Sequence, residues 1–80
     1  METKNNIDPI EQYVIDAVRE RRELLKISQA ELARQLNYSE GFIGNIENPK
    51  YRAKYNLKHL NMIAKILKCS PRDFLPVEPI

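Results

Sequence analysis

Between Pro49 and Lys58 the chain reads PKYRAKYNLK, with Lys50, Arg52, Lys54 and Lys58 and no acid. Cations interleaved with Tyr51 and Tyr55 suit one kind of chemistry, holding the oxygens of a polyanion. A merely solvated basic loop is the plain alternative. Directly before it stands SEGFIGNIEN, Ser39 to Asn48, which has no Lys or Arg and carries Glu40, Glu47 and both glycines. Enzyme chemistry finds no footing. His59 is the single histidine, with no paired nucleophile, no Gly-rich phosphate loop and no Cys/His spacing that would hold a metal or cofactor. His59 reads as a surface residue and Cys69 as a small buried hydrophobe.

Eighty residues make one small domain. A chain of this size buries only roughly 60–65% of its unfolded surface, so its stability margin is thin and a partner subunit or ligand is expected to help. A single cysteine excludes an intramolecular disulfide and fits a reducing cytosol. The sequence has no run of 18 apolar residues and opens on the polar METKNNIDP, which argues against a membrane or export and for a cytoplasmic location. Charge is unevenly spread. Residues 28–49 set Arg34 against Glu31, Glu40 and Glu47, whereas residues 50–80 set seven bases against Asp73 and Glu78.

The elements behind these stretches announce themselves by their starts. Asp8 precedes Pro9 and Glu11; Ser28 and Glu31 form an S-x-x-E capping box; Ser39 follows Tyr38; Asn56 follows Tyr55; Ser70 precedes Pro71 and Asp73. Staples between Ile27 and Leu32, Tyr38 and Ile43, Tyr55 and Leu60, and Cys69 and Phe74 reinforce four of them. These signals predict five helices near 9–26, 29–36, 40–47, 57–68 and 71–75, and no strand. A flexible N-terminal segment, 1–8, precedes the domain at 9–75, and a short tail, 76–80, follows it. Apolar spacing assigns the core to Ile10, Val14, Ala17, Val18, Leu24 and Leu25, then Leu32, Ala33, Leu36, Ile43 and Ile46. It continues through Leu57, Leu60, Ile63, Ala64 and Leu67 to Phe74 and Leu75. Met62 and Ile66 fall at the edge of that stripe.

The second and third helices are separated only by Asn37, Tyr38 and Ser39. So short a linker forces a sharp turn, with small Ala33 allowing close approach: a helix-turn-helix. The run ISQAELARQLNYSEGFIGNIENP resembles that of the Cro/phage-repressor (XRE-type) DNA-binding domains. Ser28, Gln29, Leu32 and Ala33 carry the family's S-Q-x-x-L-A signature, and Ile43, Ile46, Glu47 and Asn48 its I-x-x-[IL]-E-N. Leu60, Ile63, Ala64, Leu67, Ser70, Pro71, Phe74 and Leu75 match its closing pattern. The resemblance spans residues 14–75 and implies an all-α, five-helix lambda-repressor-like domain. There are departures. Asn37 replaces the usual turn glycine, and Lys26 the glycine before the S-Q pair. Arg21 replaces an apolar residue, its stem expected to pack and its head to reach solvent. Gly44 and Asn45 replace a serine and a base.

The resemblance implies double-stranded DNA, entered by the major groove, as partner. It places Gln29 beside a phosphate, with Ser39, Lys50, Tyr51, Arg52, Lys54 and, more weakly, Lys58 as further backbone donors. Tyr55, as a staple, is expected half-buried. Base readout falls to Glu40, Gly41, Gly44 and Asn45, with Phe42 flanking. Asn45 suits adenine and Glu40 a cytosine amino group. Glu40 can equally serve the helix dipole and repel phosphate at wrong sites. Phe42 can touch a thymine methyl, or pack on its neighbours. Glu47 reads as structural, with Arg34 or Arg22 as partner. Size and resemblance imply a homodimer on an inverted repeat, with Met62, Ile66, Leu75, Val77 and Ile80 as candidate contacts and no small-molecule ligand. A stand-alone transcription regulator follows; the rival is an antitoxin or adaptor, for which the few residues after Leu75 are short.

Overall fold

Asp8 starts the first helix as expected. Its carboxylate accepts the Ile10 N–H at 3.1 Å, and Pro9 supplies a first helical residue that needs no acceptor. In the computed structural model, which describes residues 7–80, this helix, α1, runs Pro9–Leu24. Helix α2 covers Gln29–Gln35, α3 Phe42–Glu47 and α4 Leu57–Leu67, followed by one 3-10 turn, Pro71–Phe74. Among the described residues there are thus four α-helices and no strand, so the all-α class holds and the five-helix count does not. The expected fifth helix stops after a single turn because Pro76 drives Leu75 into extended backbone, φ −111° and ψ 148°. Its start is as expected, with Ser70 and Asp73 capping each other's backbone. Of the segment 1–8, residues 1–6 lie outside the described residues, while Asp8 is the cap of α1.

The core gathers Val14, Ile15 and Val18 from α1, Leu32, Ala33 and Leu36, Ile43 and Ile46, Tyr55, four residues of α4, and Phe74. Ile15, which the spacing did not single out, is wholly buried, while Ile10 and Ala17 are half-buried. Leu24, Leu25, Leu57 and Leu75 are exposed, against expectation. The buried stripe of α1 continues at Arg22, four residues after Val18. Leu24, six residues after Val18, lies about 240° around the helix. Leu57 is the first residue of α4, where the stripe has not yet turned inward.

Three helices close in one way. Lys26, Asn37 and Lys68 take left-handed backbone, φ 61°, 64° and 59°, and stop α1, α2 and α4. After each, the next N–H reaches back to a helical carbonyl: Ile27 to Arg22, Tyr38 to Ala33 and Cys69 to Ala64, each at 3.0 Å. Ile27, Tyr38 and Cys69 then pack against the core, so one residue closes a helix and leads into the next. Arg21, expected to reach solvent, instead donates to the Leu67 and Lys68 carbonyls at 3.1 and 3.0 Å. A cation there satisfies carbonyls at the negative end of α4.

Two caps differ from expectation. Ser28 accepts the Glu31 N–H, but the Glu31 carboxylate turns to Arg34 and Gln35, so only half of the capping box forms. Helix α3 starts at Phe42 rather than 40. Gly41 stands at its N-cap with no side-chain bond, and the Ser39 carbonyl, not its hydroxyl, accepts the Phe42 N–H.

The start of α4 is stronger than its sequence suggests. Asn56 accepts the His59 N–H at 2.8 Å, and the His59 Nδ1 accepts the Asn56 N–H at 3.0 Å. His59 is therefore half of a capping box, not a bare surface residue. Partial burial, and then Lys58, hold its pKa below the ordinary histidine value. Only the neutral ring can accept that N–H. The unfolded chain binds the proton more readily, so this contribution is complete above pH ~6.5 and is lost as pH falls through the folded value. The thermal midpoint should fall more steeply from pH 7 to 5.5 in the native sequence than in His59→Gln, which keeps an acceptor and does not titrate. Parallel slopes would refute the role.

Candidate nucleic-acid interface

Helices α2 and α3 are joined through residues 36–41 and pack through Leu32, Ala33, Leu36, Ile43 and Ile46, all buried. Burying Ile43 and Ile46 turns the opposite face of α3 outward. Gly41 and Asn45 are exposed there, Gly44 is partly so, and Glu40 stands exposed just before the helix. The outward face is thin: a Cβ added to Gly41 would meet only the Asn45 amide, at 4.0 Å. Gly44, inside the helix, costs ~1 kcal/mol relative to alanine, whereas Gly41 stands at the N-cap.

Glu40 is not a lone carboxylate. The Arg34 Nη1 lies 3.3 Å from its Oε2, while Nη2 pairs with Glu31. Arg34 thus carries the two acids nearest the turn, and the Glu31 carboxyl is held below its usual range, first by Gln35 and then by Arg34. Phe42 is half-buried and sits in an aromatic cluster, 4.4 Å from the Tyr38 ring centroid and 5.0 Å from that of His59. Of its two expected roles, packing is the one its neighbours supply. Tyr55 completes the cluster at 6.2 Å from His59; it is buried rather than half-buried, and burial pushes its phenol pKa far up.

Behind α3 lies the one buried charge pair among the described residues. The Arg22 Nε and Nη2 hold both Glu47 oxygens, at 3.0 and 2.8 Å, and its Nη1 donates to the Ile27 carbonyl at 2.9 Å. Both side chains are more than nine-tenths buried. Of the two arginines considered for Glu47, Arg22 is the partner. Gln29 joins them, its Nε2 donating to Glu47 at 2.8 Å. Its side-chain carbonyl lies 3.1 Å from where a Cβ at Gly44 would stand. The end of α1, the start of α2 and the end of α3 therefore meet in one network.

The basic stretch follows α3 through a turn in which Asn48 accepts the Lys50 and Tyr51 N–H groups. Lys50, Tyr51, Arg52, Lys54 and Lys58 are all exposed. Lys54 pairs with Glu11 of α1 at 3.1 Å, whereas Lys50, Arg52 and Lys58 have no ion-pair partner among the described residues. Ser39 is exposed, its hydroxyl unused in capping. Of the expected dimer residues, Met62 and Ile66 are partly packed on the chain's own core, while Leu75, Val77 and Ile80 are exposed.

Residues 18–79 match the family model of the Cro/C1-type HTH DNA-binding domain. The chain belongs to that family. The Cro/C1-type domain is similar in structure to the hydroxypropylphosphonic acid epoxidase of S. wedmorenis, with a TM-score of 0.71 and 25% identity. That likeness covers 84% of this chain but only 35% of the epoxidase, so it concerns about a third of that protein. It also shares its fold with a hypothetical transcription factor, NHTF, from Neisseria, at a TM-score of 0.71 and 24% identity, covering 95% of this chain and 90% of that one. No curated protein matches it in sequence. No helix among the described residues is long and apolar enough to cross a membrane.

Glu47 and Arg22 have opposite sequence legibility. Glu47 stands in the family motif, but the burial of Arg22 shows only in its place on the α1 stripe. Removing one partner of such a pair leaves the other charge buried and unpaired. Glu47→Ala should cost ~3–5 kcal/mol in urea denaturation, whereas Glu31→Ala, which breaks an exposed pair screened by solvent, should cost far less. Equal losses would show that burial does not distinguish the two pairs.

Proposed function

We propose that this Cro/C1-type domain reads double-stranded DNA by laying α3 in the major groove. On this reading it is a transcription regulator, working in the cytoplasm as a homodimer on an inverted repeat, with no catalytic role. The observation that carries the proposal is the division between a charge-free exposed face on α3 and the cations Lys50 and Arg52 that follow it, which have no ion-pair partner among the described residues. A DNA-binding domain needs both, since phosphate contacts set position and affinity while base contacts set sequence.

Lys50, Tyr51 and Arg52 form the phosphate clamp, with the Ser39 hydroxyl and Lys58 as further donors. Lys54 contributes less because Glu11 competes for it. Asn45, exposed beside Gly41, is the main base reader and pairs with adenine. Glu40 accepts from a base amino group once Arg34 has offset its charge, and Gly41 and Gly44 let the backbone approach. The exposed apolar side chains Leu75, Val77 and Ile80, with the edges of Met62 and Ile66, supply the contact between protomers. The fold shared with a hypothetical transcription factor agrees with this role.

A random-sequence DNA selection with the purified protein tests the reading. It should enrich an inverted repeat whose half-sites lie about one helical turn, ~34 Å, apart. No enrichment, with tight binding to a co-encoded protein, would favour the antitoxin or adaptor role instead. On the selected site, Asn45→Ala should relax preference at one base pair per half-site by ~1–3 kcal/mol. Arg52→Ala should weaken binding to every sequence alike and reduce the salt slope by about one unit per protomer. An unchanged salt slope would remove Arg52 from the clamp.

A further inference from the structure

We infer that two copies of this chain hold each other by exchanged ends, the extended tail of each protomer lying in a groove along α1 of its partner. The inference rests on the homodimer of the proposed function and adds to it the surface that receives the tail.

The groove is a trough of about 490 Å³ between α1 and the 3-10 turn. Tyr13, Ala17 and Leu24 line it from α1, together with Cys69 and Phe74. The three α1 residues stand at i, i+4 and i+11, one face of the helix, turned away from the buried stripe of Val14, Ile15 and Val18. Tyr13 is 42% exposed and Leu24 68%.

The tail has the shape and spacing to cover that face. Pro76 and Pro79 fix their own φ and hold Leu75 and Glu78 in extended backbone. Such a chain turns once in about three residues, so Val77 and Ile80 share a side, about 9 Å apart, and Glu78 points elsewhere. On α1, Leu24 lies about 10 Å beyond Ala17 along the helix axis. Two apolar side chains of the tail therefore meet the apolar positions of the groove in step. Val77 is 97% exposed and Ile80 66%, so the tail does not fill the groove of its own chain. Two prolines also leave it little freedom to lose on docking. The exchange is isologous, with each tail filling the other's groove. No groove residue belongs to α2, α3 or the basic stretch, so a dimer joined here leaves the proposed DNA face open.

Analytical ultracentrifugation of the full chain measures the dimer, with circular dichroism to check that each variant is folded. Val77→Asp and Leu24→Glu, both at exposed positions, should each raise the dimer dissociation constant at least ~100-fold, since each dimer loses two buried apolar side chains. Mixed together, the two variants should form a heterodimer tighter than either forms alone. In that mixture the Leu24→Glu protomer still has a native tail and the Val77→Asp protomer a native groove. Leu24→Glu dimerising as well as the native chain would overturn the inference and leave the tails meeting each other instead. A mixture no tighter than the separate variants would overturn it too. A native chain that stays monomeric, both free and on DNA, would instead remove the homodimer reading, and the inference with it.

Discussion

Two charges that have left water set the terms for the rest of this molecule. Arg22 and Glu47 lie in the interior of a small domain, where each alone would be expensive to keep ionised. They are tolerable because the guanidinium fork meets both carboxylate oxygens and its remaining edge reaches the Ile27 carbonyl. That geometry demands that α1, the turn after it and the end of α3 hold fixed relative positions. The hydrophobic core can tolerate small shifts of Ile43 or Ile46; a bidentate pair tolerates far less. The pair thus acts as a positional constraint on α3 more than as a source of stability.

The surface shows a different use of charge. Acids near α3 are ion-paired in place, Glu31 and Glu40 sharing Arg34 and Glu47 held by Arg22, while Lys50 and Arg52 on the following turn have no ion-pair partner among the described residues. A reading helix with its own lysines would bind any duplex well and so discriminate less. On the proposed DNA-binding role, separating grip from reading keeps general affinity adjustable by salt and leaves sequence preference to a few neutral groups. The same logic applies to the glycines, both of which stand on or beside the outward face of α3 rather than at the left-handed corners.

Much of this was legible in the chain. Capping signals located three of the α-helices and the 3-10 turn because Asp8, Ser28, Asn56 and Ser70 do cap. The helix-turn-helix followed from the shortness of the turn after Leu36 and from the motif residues. Legibility failed where a residue's role depends on something distant in sequence. Leu24 and Leu25 look like core until Arg22 is known to continue the stripe. Arg21 looks solvated until the end of α4, 46 residues on, is brought to it. Gln29 looks free until Glu47 takes its amide. His59 is different: its spacing from Asn56 fits a capping box, but with histidine in the place of the usual Glu or Gln the pattern is easy to overlook.

His59 also joins two events that the topology keeps apart. One edge of its ring closes the first turn of α4, and the ring as a whole rests against Phe42, the first residue of α3, and Tyr38, in the corner before it. Helices α3 and α4 thus begin against a common hinge-pin. A displacement of Phe42 is felt at the first turn of α4 through the His59 ring, and fraying of that turn is felt at the start of α3. In a helix of only six residues, such a support at its leading end replaces the rigidity that length would otherwise give.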